Sequence, residues 1–366
     1  MARKLKSDKV LFTASVLLVC LSIVMVYSAS VVLAMDRFDQ PYLFLVKQVL
    51  WSVLGMVVLA VAMRVDYRIY RNEHFVWAAL AVVGLMLFAV LFASPVNGTR
   101  RWFGMGGLGI QPSELAKIVA VLFTAVVLER RMHRIDDLSY SLLPVAIVVG
   151  GMVGLILLQP DFGTSMSLLL IVGAMVFAAG LQYRYFVATV AATVPLLYVV
   201  LVSAPYRRER LLAFWNPDAD PQGAGFQIIQ SLIAVGTGGI TGRGLMDGVQ
   251  KLFYLPEPHT DFIYAVIAEE LGLVGASVVL GCFCVIAWRG LRIAMRAEDT
   301  FGAFVAIGLT TMIAMQALIN MSVVLGLMPT KGIPLPLVSA GGSSLLINML
   351  GIGMLLNISQ HETVRT

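Results

Sequence analysis

The sequence predicts an all-α protein that crosses a membrane about ten times. Three observations carry that prediction. Hydrophobic residues make up 59% of the 366-residue chain and charged residues 13%, about half the charged share of a water-soluble domain. Apolar runs of about 20 residues, each long enough to span a bilayer, recur along nearly the whole chain. Basic residues collect on alternate connections between those runs, as the positive-inside rule requires.

The expected spans lie near 10–34, 44–63, 75–94, 112–129, 142–158, 163–180, 185–203, 265–288, 302–325 and 340–357. The first run is longer than the apolar core of a signal peptide and has no small-residue cleavage site in a suitable place, so it counts as a span. Together the runs form a single membrane domain over 1–366. It has one long extracytoplasmic loop, 204–260, between the seventh and eighth helices; loops of that length are usually functional or disordered. Arg3, Lys4, Lys6 and Lys9 open the chain, and Arg64, Arg68, Arg71, Arg130, Arg131, Arg134, Arg184, Arg289, Arg292, Arg296 and Arg365 follow on the same side. The short connections on the other side hold only Arg37, Arg100, Arg101 and Lys331. Both termini are therefore expected in the cytoplasm.

The net charge of +5 has no basic run behind it that would suit nucleic acid. Cys20, Cys282 and Cys284 lie inside apolar runs without C-x-x-C spacing, which gives neither a disulfide framework nor a zinc site.

Polar chemistry gathers on the outer side, in four segments: NGTRRWFGMGGLGIQPSELAK from Asn97, QPDFGT from Gln159, YLPEPHTDF from Tyr254 and PTKGIPLPLVSAGGSS from Pro329. Arg100, Arg101 and Lys331 oppose the topological bias, which marks them as candidates for a phosphate-bearing ligand. The plainer alternative is that arginines beside Trp102, and Lys331 likewise, snorkel to headgroups. Gly341 to Ser344, with Ser343 among them, has the composition of a loop-to-helix start that presents free N–H groups. Glu114 and Lys117 share a helix face three residues apart, where a salt bridge would hold a cavity wall. Lys47 is either a partner for such a carboxylate or a snorkelling side chain. Of Glu269 and Glu270, one is expected to face a water-filled interior and the other an interface. Asp261 ends the long loop at the start of the next helix, a position that suits either a helix cap or a catalytic carboxylate. Asp161 has the same two readings, and His259, among prolines, is a base or a loop contact.

With these motifs in order, the chain resembles the SEDS family of shape, elongation, division and sporulation proteins (the FtsW/RodA/SpoVE type). The resemblance rests on NGTRRW with QPSELAK, QPDFGTS, GFQIIQSLIAVGTGGITGRGL, LPEPHTDFIYAVIAEELG and PTKGIPLPLVSAGGSSLL, and covers almost the whole membrane domain. VQKLFYLPEPHTDF is closer to the division branch than to the elongation branch, and sporulation members share much of it. Ala340, where division members often carry an aromatic residue, and a short N-terminal tail are departures.

The resemblance implies a peptidoglycan glycosyltransferase acting on lipid II at the outer face of the bacterial cytoplasmic (inner) membrane. It places the family's essential aspartate at Asp261 and a sensitive ion pair at Glu114 and Lys117. Arg100, Arg101, Lys331 and Arg243, with His259 and Ser343, would then bind substrate, and Asp161, Glu269 and Lys47 remain further candidates. A divalent cation, Mg or Mn, is compatible, but the sequence has no dedicated carboxylate cluster and leaves a metal site unknown. The implied partners are undecaprenyl-diphosphate-linked glycan and a class B penicillin-binding transpeptidase, with other divisome or elongasome proteins. Two rival readings are a lipid II flippase, which would need cavity charge at both faces, and a scaffold that only recruits the transpeptidase.

Overall fold

The computed structural model describes residues 7–361 except 96–98, 105–108, 136, 203–204 and 224. Arg3, Lys4, Lys6 and Arg365, together with Asn97, Gly98 and 105–108 of the first outer motif, lie outside the described residues.

Apolar sequence in a bilayer must satisfy its backbone polar groups internally, and helices do so within one segment. The regular elements of the described residues are helices, with an isolated bridge between Phe103 and Ile110. The helices are α1 (Lys9–Phe38), α2 (Leu43–Arg64), α3 (Glu73–Ala89), α4 (Pro112–Arg131), α5 (Leu138–Ser141), α6 (Leu143–Leu158), α7 (Phe162–Ala178), α8 (Tyr183–Val202), α9 (Pro205–Trp215), α10 (Phe226–Gly238), α11 (Ile263–Arg296), α12 (Thr300–Val324) and α13 (Gly342–Gln360). Each expected span coincides with one of them. Local chemistry sets their starts. The Asp8 carboxylate accepts from the N–H groups of Val10 and Leu11 at 3.0 Å each to begin α1, and Pro112 opens α4, where its missing N–H costs nothing.

By length and hydropathy α1, α2, α3 (with its short extension to Phe92), α11, α12 and α13 each suffice to cross a membrane. Burial separates the inner helices from the outer ones: 83% of the apolar stretch of α13 and 67% of that of α12 is covered, against 22% for α2. The charged residues of α4 make it a poorer span by composition, yet it is buried from Pro112 to Leu128 apart from Leu115. Thus α4, α12 and α13 form the interior. Around them α2 lies along α13, α11 along α12, α3 along α4, and α7 against both α4 and α12.

One end of the bundle is closed by side-chain ties. Arg289 on α11 reaches Asp8 at 2.5 Å, Arg68 reaches Glu298 at 2.7 Å, and the Tyr67 N–H donates to Asn357 Oδ1 at 2.9 Å. The opposite end gathers the outer motifs.

The long connection is structured. It contains α9 and then α10, which packs on α11 and α12 and donates from Ser231 Oγ to the Val324 carbonyl at 2.7 Å. Beyond α10 the chain threads into α11, which is broken at Gly272 (φ +66°). The N–H groups of Leu273 and Val274 donate to the carbonyls of Gly239 and Ile240 (2.9 and 3.1 Å), while the carbonyls of Glu269 and Glu270 accept from Arg243 and Gly244 (3.0 and 3.1 Å). The glycines of GTGGITGRGL make this approach possible, since a Cβ on Gly242 would stand 2.1 Å from the Glu270 carbonyl oxygen. Irregular backbone at this depth is tolerated because it is paired within protein.

Glu269 and Glu270 differ from expectation. Both are buried in the protein interior. The threaded segment brings N–H groups that need acceptors: Glu269 takes those of Val249 (2.8 Å) and Gln250 (3.2 Å), and Glu270 that of Met246 (3.0 Å). Glu270 also pairs with Lys251 at 2.6 Å and accepts from Ser28 Oγ of α1 at 2.7 Å.

Candidate functional site

At the motif end, two loops meet. One is the 259–262 segment that leads into α11; the other is the 330–341 crossing from α12 to α13. The Ala340 N–H donates to the His259 carbonyl (2.9 Å), Ser339 Oγ donates to the Thr260 carbonyl (2.6 Å), and the Leu335 N–H donates to Ser339 Oγ (2.7 Å). Beneath them, the side-chain amide of Asn320 donates to the carbonyls of both Asp261 and Ile333 at 2.8 Å. Three of these bonds end on the carbonyls of His259, Thr260 and Asp261, and none uses the Asp261 side chain. The Asp261 carboxylate is left at the meeting point, half-buried.

The two aspartates separate clearly. Asp161 caps α7, accepting from the Thr164 N–H (3.1 Å), the Thr164 hydroxyl (2.7 Å) and the Gln111 amide (3.1 Å). No side-chain cap bond opens α11, whose flanking residue is Phe262, so the capping reading does not describe Asp261. Burial, reinforced by the nearby charges of Glu257 and Asp161, pushes the Asp261 carboxyl up to about 7, against the opposing pull of Arg210 and Arg101.

Arg210 and Arg101 act on this carboxyl, and two more cations belong to the same outer motifs. Arg101 binds the carbonyls of Gln159 (3.1 Å) and Pro160 (2.6 Å), and Arg100 binds that of Leu91 (3.0 Å). Lys331 stands 4.5 Å over the ring of Phe162, and burial lowers its pKa. Carbonyls and a ring orient these groups without neutralising them, which suits a site for an anion. Arg210 of α9 reaches the Thr330 carbonyl at 3.4 Å. Sequence reasoning had placed it only in a long loop.

Other candidates fall elsewhere. Arg243 lies 3.8 Å from Glu269 and belongs to the threaded segment. His259 is buried with its ring centroid 4.7 Å from that of Phe44, and burial lowers its pKa; it is a packed loop residue, with Nδ1 unpartnered among the described residues. Ser343 accepts from the Gln111 N–H (3.2 Å) and donates to the Gly109 carbonyl (2.6 Å), pinning the α4 entry to α13. Lys47 is half-buried on α2 and takes part in no ion pair among the described residues. Glu114 and Lys117 pair at 2.8 Å deep in the interior. The pair is relayed onward: Lys117 donates to Gln316 Oε1 (3.0 Å), and the Gln316 amide donates to the Pro334 carbonyl (3.2 Å), inside the loop that frames Asp261. Gln316 and Asn320, missed by the sequence reading, are two amides four residues apart on one face of an apolar helix, a spacing that could have revealed them.

No group of three or more His, Cys, Asp or Glu side chains converges as a metal cage among the described residues. The arrangement offers one carboxylate of raised pKa and several oriented cations.

Such a fold and site define a multi-pass membrane protein with its polar chemistry concentrated at one end of the bundle. Residues 8–364 match the family described as cell cycle protein, FtsW/RodA/SpoVE, and the chain belongs to that family. It is 42% identical over 357 residues to a probable peptidoglycan glycosyltransferase FtsW of Geobacter metallireducens, covering 96% of this chain and 94% of that one. It is 40% identical to stage V sporulation protein E of Bacillus subtilis, covering 98% and 99%. Among solved structures it resembles a chain from a peptidoglycan synthase complex described as coordinating polymerization and crosslinking (33% identity, TM-score 0.79, 97% and 98% covered). The rod shape determining protein RodA of Thermus thermophilus is also similar (27%, TM-score 0.71, 98% of both chains).

Proposed function

We propose that this chain is an inverting peptidoglycan glycosyltransferase that polymerises lipid II into glycan strands on the outer face of the cytoplasmic membrane, for septal wall synthesis in division. The observation that carries the reading is the Asp261 carboxyl, held by its backbone between two loops, raised to about 7 and acted on by Arg210 and Arg101. The peptidoglycan glycosyltransferase FtsW relatives support the reaction and the septal role.

In the reaction, the 4-hydroxyl of the acceptor sugar attacks the anomeric carbon of the donor. The new C–O bond forms as the bond to the diphosphate breaks, and the electron pair leaves on undecaprenyl diphosphate. The hydroxyl proton passes to Asp261, which acts as general base with a pKa near the working pH. Arg100, Arg101, Lys331 and Arg210 hold diphosphate charge, which stabilises the leaving group as it develops. A diphosphate leaves readily, so no dedicated acid is required. A divalent cation would add to that charge stabilisation, but no step here depends on one.

The undecaprenyl tails remain in the bilayer while the sugars reach the outer layer, which supports a location in the bacterial inner membrane. A class B penicillin-binding transpeptidase is the partner that would cross-link the product; the similarity to a chain of a synthase complex supports it.

The test is glycan-strand formation from purified lipid II by the protein with its transpeptidase, wild type against Asp261→Asn, after equal folding and complex formation are established. Polymerisation should fall by at least about 100-fold in the variant. Equal activity would move the base elsewhere, and no activity in either protein would favour the flippase or scaffold reading.

A further inference from the structure

At the bundle end opposite Asp261, the ends of α3, α4 and α6 leave a cleft of about 380 Å³ between them. Its wall is apolar and includes Trp77, Phe123 and Ile147, with the Trp77 and Phe123 rings edge to face at 5.7 Å. Its rim is charged and consists of Glu73, Arg130 and Arg131. By the distribution of basic residues this end faces the cytoplasm.

Both guanidiniums have partners. Arg130 pairs with Glu73 across the cleft mouth. Arg131 donates to the Tyr140 carbonyl, and its guanidinium lies 4.7 Å over the Tyr140 ring. Each guanidinium carries five N–H donors, so these contacts leave donors on both. Two guanidiniums against one carboxylate give the rim one surplus positive charge. From Arg130 down to Phe123 the wall runs two helical turns, about 10 Å, a depth that suits the upper part of an acyl chain beneath a phosphate.

Any outward helix face in a bilayer is wetted by lipid without selectivity. Here a concave apolar wall formed by three helices is joined to two guanidiniums at its mouth, a pairing of apolar and cationic chemistry that matches an acyl chain beneath a phosphate. We propose that this cleft is a binding site for an anionic glycerophospholipid of the inner leaflet. The phosphate lies on Arg130 and Arg131, and one acyl chain runs along Trp77, Phe123 and Ile147. The site is remote from the polymerising chemistry and does not depend on it.

The test uses the full-length protein in detergent and native mass spectrometry, with phosphatidylglycerol and phosphatidylethanolamine of identical chains. Wild type should retain one phosphatidylglycerol with about tenfold preference. The double variant Arg130→Gln, Arg131→Gln should lose that preference, while Arg292→Gln, basic on the same side but outside the cleft, should keep it. Ile147→Trp, which fills the cleft and leaves the rim intact, should reduce retention of both lipids; it tests the wall independently if the double variant proves unstable in lipid-free detergent. Equal retention of the two lipids by wild type, an undiminished preference in the double variant, or undiminished retention of both lipids in Ile147→Trp would overturn the proposal.

Discussion

Gly332 lies against Asp261: a Cβ built on the glycine would stand 3.0 Å from the carboxylate Oδ2. The crossing between α12 and α13 therefore leaves room for the carboxylate only because position 332 has no side chain. Gly332→Ala should displace the carboxylate by a few tenths of an ångström and lower polymerisation about tenfold, with little change in melting temperature. Gly332→Val should do more. Steady-state rates on lipid II, set beside thermal unfolding in detergent, check both parts, and full activity in the alanine variant would show that the carboxylate tolerates the shift.

The raised pKa of Asp261 gives the reaction a pH profile. A base must be deprotonated, so the rate should climb with pH and level off above a midpoint near 7. The stability effect has the opposite direction. The folded state holds this proton more tightly than the unfolded chain, whose carboxyl titrates near 4, so the group's contribution to stability falls as pH rises from about 4 through 7. Asp261→Asn should remove that fall while abolishing the rate. Rate measurements and melting curves from pH 5 to 9 read the two trends separately.

Glu114 and Lys117 should behave as a unit. Changing either one alone strands a buried charge, at a cost of about 3 to 5 kcal/mol. The paired change Glu114→Leu, Lys117→Met should recover most of that stability. It would still lose the Lys117 to Gln316 bond and with it the link to the Pro334 carbonyl. The double variant is therefore expected to fold but to polymerise slowly. A double-mutant cycle in both stability and rate resolves the two contributions, and recovery of both together would confine the pair to a packing role.

Gly272→Ala should destabilise the protein by at least about 2 kcal/mol. The residue has φ +66°, and a Cβ there would stand 2.3 Å from the Gly242 N. Melting temperature in detergent is the measurement, and an unchanged value would mean that the break in α11 can close.

The fold was legible in the sequence wherever one segment satisfies its own backbone. The ten apolar runs need no information beyond their length and flanking charge, and each became a helix. The site was legible in part. Asp161 and Asp261 both precede a helix, and the partners of Asp161, the local Thr164 and the tertiary Gln111, separate the capping carboxylate from the uncapped one. Arg243 was misplaced because its side chain answers to Glu269, a pairing created when the chain enters α11. That entry has no periodic signature, since it is built from main-chain groups across a long connection. Its trace in the sequence is a density of glycines, which reads equally well as a loose turn.

The splice between 239–244 and α11 is made chiefly by peptide groups, which neither titrate nor screen, and the carboxylates behind it, Glu269 and Glu270, are buried. The cluster around Asp261, a short way up the same chain, consists of charges that do both. Acidity and salt can therefore retune the half-exposed outer pocket more readily than the join beneath it, so that one connection serves both as a condition-sensitive surface and as a foundation for it.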